Sequence, residues 1–141
     1  NKLPFRLEAG TPNIAGVIGL GAALQWIQQY NNSGIIQHKA LLLKAFFNGL
    51  DKIKGVDILS MPVHNAGVVA LNVDSEHPSD VAAILDQHRI AVRSGQHCAM
   101  PLFSYLARPG AVRCAFAAYN TLDDVNRCLL ALEQAVEILT A

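Results

Sequence analysis

The apolar spacing near the carboxyl end is the feature that most constrains how this chain can fold. From Leu122 onward, apolar side chains recur at alternating intervals of three and four residues, the period of an amphipathic α-helix. Thr121 precedes this run and Asp124 follows three residues later, a pattern that resembles a capping box. The apolar positions are Leu122, Val125, Leu129, Leu132, Val136 and Leu139.

The rest of the chain alternates between helical and strand-like periods. Helices are predicted over residues 12–30 and 35–52, separated by a turn at 31–34; Thr11 is the expected N-cap of the first and Pro12 its first residue. The other predicted elements are strands at 56–60 and 67–73, a helix at 78–88, a strand at 90–93, a helical turn at 102–107 and a strand at 111–117. This order predicts an α+β fold, an α/β sandwich with a short sheet and helices mainly on one face.

Length and composition indicate one globular domain. The chain has 141 residues, which favours a single domain. Apolar residues make up 52% and charged residues 16%, which excludes intrinsic disorder. The net charge is zero, which argues against a nucleic-acid or anionic-membrane partner. The longest stretch without a polar side chain, residues 14–24, is 11 residues long, whereas a membrane-spanning helix needs about 20.

The three cysteines do not form a metal or disulfide pattern. Cys98, Cys114 and Cys128 are odd in number and include no CxxC pair, so we expect no metal site and a reducing, cytoplasmic setting. Cys114 lies in an apolar strand and Cys128 precedes Leu129 on the last helix, so both are expected to be core thiols.

Residues 93–101 are the segment most suggestive of chemistry. The chain leaves a short strand, turns at Gly95 and places His97 and Cys98 on a loop. An imidazole beside the thiol and a guanidinium five residues away create a positive field, which favours the nucleophilic thiolate. Free cysteines are also common as small buried core residues, so these residue types leave a reactive and a structural interpretation open.

Two further residues could bind anions. Arg113 stands in an otherwise apolar strand, and a buried guanidinium needs a partner. That partner could be a structural Asp or Glu, or a bound carboxylate held by a bidentate fork. Thr11, at the predicted helix start, could cap the helix or lie beside an anion at its N-terminus.

Together these segments resemble the C-terminal part of the pyridoxal-phosphate-dependent cysteine desulfurases and selenocysteine lyases, in the class V aminotransferase family. The cysteine motif is similar to the branch with a short cysteine loop, which includes cysteine sulfinate desulfinases. One departure is Gln96, where many relatives have histidine. The matching motifs are Leu-Glu-Ala-Gly-Thr-Pro-Asn at 7–13, Gly-Val-Ile-Gly-Leu at 16–20, Arg-Ser-Gly-Gln-His-Cys-Ala-Met-Pro at 93–101, Arg113, and Tyr-Asn-Thr at 119–121.

The resemblance implies a role for each matched residue. Cys98 would be the nucleophile that takes sulfur from L-cysteine, or selenium from selenocysteine, and releases L-alanine. Arg113 would hold the substrate carboxylate, while Arg93 would shape the cysteine loop and the substrate side of the site. His97 would lie beside the cysteine on the substrate side. Thr11 would donate to the phosphate of pyridoxal phosphate bound by the neighbouring subunit of a homodimer.

The resemblance also implies a domain organisation. Residues 1–141 would be the small C-terminal domain of a fold-type I enzyme, with 1–30 as a connecting segment and helix and 31–141 as the sandwich. None of the five lysines matches the family's cofactor-lysine motif. The large domain with that lysine is therefore expected to be absent from this chain, and the isolated chain to be inactive. The implied partner is a sulfur-acceptor protein that takes part in iron–sulfur cluster assembly. The alternative is a non-enzymatic module that carries sulfur or binds a partner through Cys98.

Overall fold

The structure, a computed structural model, describes residues 2–30, 32–63 and 65–141. Contacts within the chain divide it into two compact units, Asn1–Ile35 and Ile36–Ala141. The second unit contains the sheet and the residues of the cysteine loop.

The first unit consists of a short 3₁₀ turn, Phe5–Leu7, and helix α1, Ile14–Gln28. Its N-cap is Asn13, whose side-chain oxygen accepts a hydrogen bond from the backbone N–H of Gly16 at 3.0 Å. The predicted start at Thr11 and Pro12 is therefore wrong. Asparagine is among the strongest N-cap residues. The side chain of Asn13, and not that of Thr11, accepts the hydrogen bond from the backbone N–H of Gly16 in the first turn. No residue of α1 is buried.

The second unit is built on a four-stranded antiparallel sheet. The strands lie in the order β1-β2-β4-β3, so β2 and β4 are internal. This arrangement confirms the predicted α+β class. The elements that complete the chain are α2 (Asn32–Leu50), β1 (Val56–Ile58), β2 (Val68–Val73), α3 (Pro78–Gln87), β3 (Arg93–Gly95), α4 (Met100–Tyr105), β4 (Ala111–Ala115) and α5 (Leu122–Leu139).

The hydrophobic core lies on one face of this sheet, against helices α2, α3 and α5. Alternate residues of the two internal strands supply it, because successive side chains of a strand point to opposite faces. The rings of Phe46 on α2 and Phe116 just after β4 meet edge to face with centroids 4.9 Å apart. The core-facing strand residues are Val69, Leu71 and Val73 on β2 and Val112 and Cys114 on β4.

Two of the three thiols belong to this core, as predicted. Cys114 is 3% exposed and Cys128 5% exposed. A hydrogen bond with Cys128 and burial both raise the pKa of the Cys114 thiol. Cys114 is therefore held as an uncharged core side chain, poorly suited to nucleophilic chemistry.

Several predicted boundaries are wrong in detail: the helical turn expected at residues 102–107 is helix α4, Met100–Tyr105, and the strands expected at 56–60 and 111–117 end at Ile58 and Ala115. The third strand was expected at residues 90–93, but β3 runs over Arg93–Gly95. Ile90 and Val92, which precede β3, pack against the core. Backbone pairing with β4 begins only at Arg93, so the apolar residues and the hydrogen-bonded strand are different parts of this segment. Helix α2 begins at Asn32, inside the predicted turn, whose residue Asn31 lies outside the described part. Within the described ranges, no helix is long and apolar enough to cross a membrane.

The predicted capping box at the start of α5 is confirmed. The Thr121 hydroxyl accepts from the backbone N–H of Asp124 at 3.2 Å, and the Asp124 carboxylate accepts from the backbone N–H of Thr121 at 2.8 Å. The Thr121 hydroxyl also donates to the Asp124 carboxylate, at 3.1 Å. The hydrogen bond from the Thr121 backbone, and then the one from its hydroxyl, lower the pKa of Asp124.

This capping box predicts an acid-sensitive contribution to stability. Because the pKa of Asp124 is lower in the folded state, its carboxylate stabilises the fold above the ordinary aspartate pKa of about 4. That contribution is lost as the pH falls through the lowered value. Urea titrations should therefore find wild type more stable than Asp124→Asn at pH 7 and the difference shrinking below pH ~4. A difference independent of pH would contradict this.

Candidate active site

The cysteine loop is short and presents its thiol to solvent. Strand β3 ends at Gly95 and α4 begins at Met100, so only residues 96–99 connect them. The backbone N–H of Ala99 donates to the carbonyl of Gln96 at 2.8 Å, which closes a tight turn around Cys98. Cys98 itself is exposed and unpaired with another cysteine. This exposure decides against the core-residue interpretation of Cys98.

The loop holds two residues in an unfavourable backbone conformation. His97 has φ +51° and Cys98 has φ +57°, in the left-handed region that costs a non-glycine residue about 1–2 kcal/mol. The His97 ring offsets part of this cost, because its Nε2 hydrogen-bonds the carbonyl of Ala111 at 3.0 Å. A carbonyl can only accept, so Nε2 carries the proton in this contact. The ring also lies 6.2 Å, centroid to centroid, from that of buried Phe103.

A close approach of two glycines anchors the base of the loop. Gly95 ends β3 and Gly110 immediately precedes β4. A Cβ at Gly110 would lie 2.7 Å from the carbonyl carbon and oxygen of Gly95. Gly110 also has φ +155° and Gly95 φ +113°, a region that L side chains rarely adopt. A side chain at Gly110 would therefore collide with the chain at Gly95, and a side chain at either position would strain the backbone where the loop leaves the sheet.

Two arginines stand directly opposite one another beside this loop. Arg93 on β3 pairs with Arg113 on β4 in the antiparallel register, so both side chains leave the same face of the sheet. Arg113 is half-buried and Arg93 exposed. Within the described ranges neither guanidinium has a carboxylate partner; the ion pair found there joins Arg108 to Asp57. Like charges directly opposite destabilise a sheet, so this pair favours an anionic ligand between them.

The structural alternative for Arg113 is therefore not supported. A buried or half-buried guanidinium is normally paired, yet no Asp or Glu of the described chain holds this one. The face that bears Arg113 is the one opposite the hydrophobic core, because its neighbours Val112 and Cys114 face the core.

Thr11 lies in the first unit and not in the sheet. It is exposed and precedes the N-cap of α1 by two residues. Its hydroxyl makes no hydrogen bond to the residues that the structure describes, so it is free to donate to an external anion.

Other candidate sites lie away from the cysteine loop. A cavity of about 700 Å³ is lined by α2 and the segment before β2, and another of about 280 Å³ borders Cys114 and Cys128. Neither is lined by Cys98, Arg93 or Arg113. Among the side chains described, no group of three or more His, Cys, Asp and Glu could hold a metal ion.

Sequence reasoning missed the residues that support the loop. Gly110 and the carbonyl of Ala111 were not recognised, although Pro109-Gly110 before an apolar strand is a turn signal. Asn72 was also missed; it is a polar residue inside the apolar run of β2 and is 2% exposed. Its position in such a run was the available signal, since buried amides need hydrogen-bond partners.

The fold and this loop define a domain of the class V aminotransferases. The family model described as "Aminotransferase class-V" matches residues 1–128. The chain belongs to that family.

The names of the proteins similar to this chain give a more specific activity than the family description does. The chain is 39% identical to a cysteine desulfurase of Yersinia pestis (strain Pestoides F) over 136 residues, 96% of this chain and 33% of the relative. It superposes on a cysteine desulfurase from Thermococcus onnurineus NA1 with a TM-score of 0.88 and 42% identity, over 99% of this chain and 35% of that one. It also superposes on the cysteine desulfurase CsdA from Escherichia coli, in its S-sulfonic acid form, with a TM-score of 0.85 and 36% identity, over 99% of this chain and 34% of that one.

This chain therefore spans about a third of the length of the curated relatives it matches. These comparisons confirm the resemblance to the cysteine desulfurases found in the sequence.

The close approach of the two glycines predicts unequal effects of two matched substitutions. Gly95→Ala meets no atom within 4 Å and adds only backbone strain, so it should lower the free energy of unfolding by about 1–3 kcal/mol. Gly110→Ala adds a collision with Gly95 and should cost about 1–3 kcal/mol more. Urea titrations measure both values, and equal costs would show that the collision is relieved without strain.

Proposed function

We propose that this chain is the small domain of a cysteine desulfurase that removes sulfur from L-cysteine and leaves L-alanine. The observation that carries the proposal is an exposed thiol on the anchored loop that follows β3, in a sheet whose Arg93 and Arg113 oppose each other without an acidic partner among the described residues. This combination suits an amino acid whose carboxylate is bound while its side-chain sulfur meets a nucleophile. The desulfurases to which the chain is similar support it.

Arg113 is the proposed carboxylate ligand. Its guanidinium presents a planar fork of N–H donors, which matches a carboxylate with two parallel hydrogen bonds. Its half-buried position limits competition from water. Arg93, directly opposite, adds a second positive charge on the same face and helps to shape the substrate side.

Cys98 is the proposed nucleophile. Its thiolate attacks the sulfur of the substrate and forms a new S–S bond, while the C–S bond of the substrate breaks. The electron pair of that bond remains on the substrate carbon, which takes up a proton and leaves as L-alanine. Cys98 is left as a persulfide. His97 contributes by holding the loop to Ala111 through Nε2.

The chain carries groups that fit part of a pyridoxal phosphate site. Thr11 is exposed, and its hydroxyl has no partner among the described residues. The hydroxyl could therefore donate to the phosphate of the cofactor bound by the neighbouring subunit of a homodimer. The cofactor supplies, when bound, an electron sink for the substrate carbon. The lysine that holds it is proposed to lie in a large domain outside this chain, so that the isolated chain is inactive.

The finer features of this proposal follow the same resemblance. Residues 1–30 would connect the large domain to the sandwich of residues 31–141. The exposed apolar side chains of α1, such as Val17, Ile18 and Leu24, would then be covered by the rest of the homodimer. A sulfur-acceptor protein would collect the persulfide sulfur for iron–sulfur cluster assembly in the cytoplasm. L-Cysteine is the proposed substrate, with selenocysteine and cysteine sulfinate as the compounds to compare.

The role of Cys98 predicts a nearly complete loss of activity when its sulfur is removed. In the full-length protein with its cofactor bound, Cys98→Ser should lower alanine formation from L-cysteine by at least ~10³-fold and keep the cofactor absorbance. Cys128→Ala, which removes a buried thiol, should retain activity. Unchanged activity of Cys98→Ser would contradict the proposal. Sulfur loading of Cys98 only by a separate donor enzyme would instead favour a sulfur carrier.

The role of Arg113 predicts a defect in substrate binding. Arg113→Lys keeps the charge but loses the bidentate fork, so the KM for L-cysteine should rise by about ten- to a hundredfold. Arg108→Lys is the matched control, because Arg108 pairs with Asp57 and should leave the KM nearly unchanged. Steady-state kinetics over a range of L-cysteine concentrations measures both. Equal effects of the two variants would remove Arg113 from its proposed role.

A further inference from the structure

Asn72 on β2 is a buried polar side chain with one hydrogen bond and one unused acceptor. It is 2% exposed, and its Nδ2 donates to the carbonyl of Gly110 at 3.0 Å. Its Oδ1 is buried and has no partner among the residues the structure describes. A buried acceptor without a donor is unfavourable, so such an atom in a native structure requires a physical explanation, which can be a functional role.

The strand register places this acceptor on the same face as the substrate-side arginines. Leu71 and Val73, on either side of Asn72, face the core, so Asn72 faces away from it. Ala70 pairs with Arg113 on β4. Asn72 is therefore two residues further along the same face and stands diagonal to Arg113. Diagonal positions on adjacent antiparallel strands are within reach of long side chains.

The Arg113 guanidinium is a donor without a partner among the described residues, and Arg113 stands diagonal to this acceptor in the register. Asp57 on β1 pairs directly with Asn72, and the Arg108 guanidinium is already engaged with that carboxylate. The Arg113 guanidinium makes no hydrogen bond or ion pair to the residues described. Ala111, the first residue of β4, carries only a methyl group on this face of the sheet.

The other end of the Asn72 amide acts on the cysteine loop. Its Nδ2 holds the carbonyl of Gly110, and the next carbonyl, that of Ala111, accepts the hydrogen bond from His97. Gly110 also touches Gly95 at the base of the loop. One amide therefore fixes the short segment on which the loop of Cys98 is anchored.

We propose that Asn72 is a positioning residue that couples the substrate arginine to the cysteine loop. Its Nδ2 holds Gly110 and through it the loop, while its Oδ1 accepts a hydrogen bond from Arg113 once the substrate carboxylate orients that guanidinium. The hydrogen bond from Arg113 to Oδ1 rests on the proposed function, whereas the hydrogen bond from Nδ2 to Gly110 concerns the fold alone.

The test uses the full-length holoenzyme with Asn72→Leu, which keeps the approximate shape and removes both hydrogen-bonding groups. Amide hydrogen exchange of residues 96–99 should become at least ~10-fold faster, because the loop opens more easily without its anchor. The KM for L-cysteine should rise by ~10-fold. In the double variant with Arg113→Lys, the increase in KM should be smaller than the product of the two single effects, because the residues act together.

Val73→Ala is the matched control. Val73 is the next residue on β2, faces the core and touches neither Gly110 nor Arg113 by its position in the sheet. It should reduce stability but leave the loop exchange and KM within ~2-fold of wild type. If Asn72→Leu behaves like Val73→Ala in both measurements, or if its effect on KM multiplies that of Arg113→Lys, the positioning role is overturned. If the wild-type holoenzyme had no desulfurase activity, the proposed function would be refuted. The hydrogen-exchange rates of residues 96–99 would still decide whether Asn72 anchors the cysteine loop through Gly110.

Discussion

The rest of the structure depends on strand β4, which has a neighbouring strand at each edge and side chains with different roles on its two faces. This internal strand pairs with β2 on one side and β3 on the other. Val112 and Cys114 fill the core, so Arg113 between them must face away from it. A slip of one residue in the register would move the arginine into the core and the apolar residues out of it. Core packing therefore fixes where the positive charge of the candidate site lies.

The cysteine loop shows how a strained segment is maintained by ordinary contacts. Two consecutive residues with positive φ cost about 1–2 kcal/mol each, more than the ~1 kcal/mol typical of one hydrogen bond. The His97–Ala111 hydrogen bond alone does not balance them. The buried Phe103 beside the His97 ring and the contact of the two glycines supply further restraint. The fold alone thereby holds the thiol in place, as the proposed nucleophilic role of Cys98 would require.

Local features of the fold could be predicted from the sequence, and long-range ones could not. The capping box of α5 involves residues three apart and was found directly. The start of α1 was missed because Thr11 and Asn13 are both good N-caps, and only the hydrogen bond of Gly16 distinguishes them. The motif around Cys98 was recognised, but its exposure depends on tertiary structure. The pairing of Arg93 with Arg113 requires the sheet register, and the contact between Asn72 and Gly110 joins residues 38 positions apart.

The length of the connection between β3 and α4 limits how far the sulfur of Cys98 can travel. Four residues span at most about 14 Å when fully extended, and both ends of this segment are tied to the sheet or to α4. The thiol therefore cannot swing outward on a long tether to reach a distant recipient. Under the proposed function, a molecule that takes a sulfur atom from Cys98 would have to approach the sheet edge closely, so its own shape would matter more than any movement of the loop.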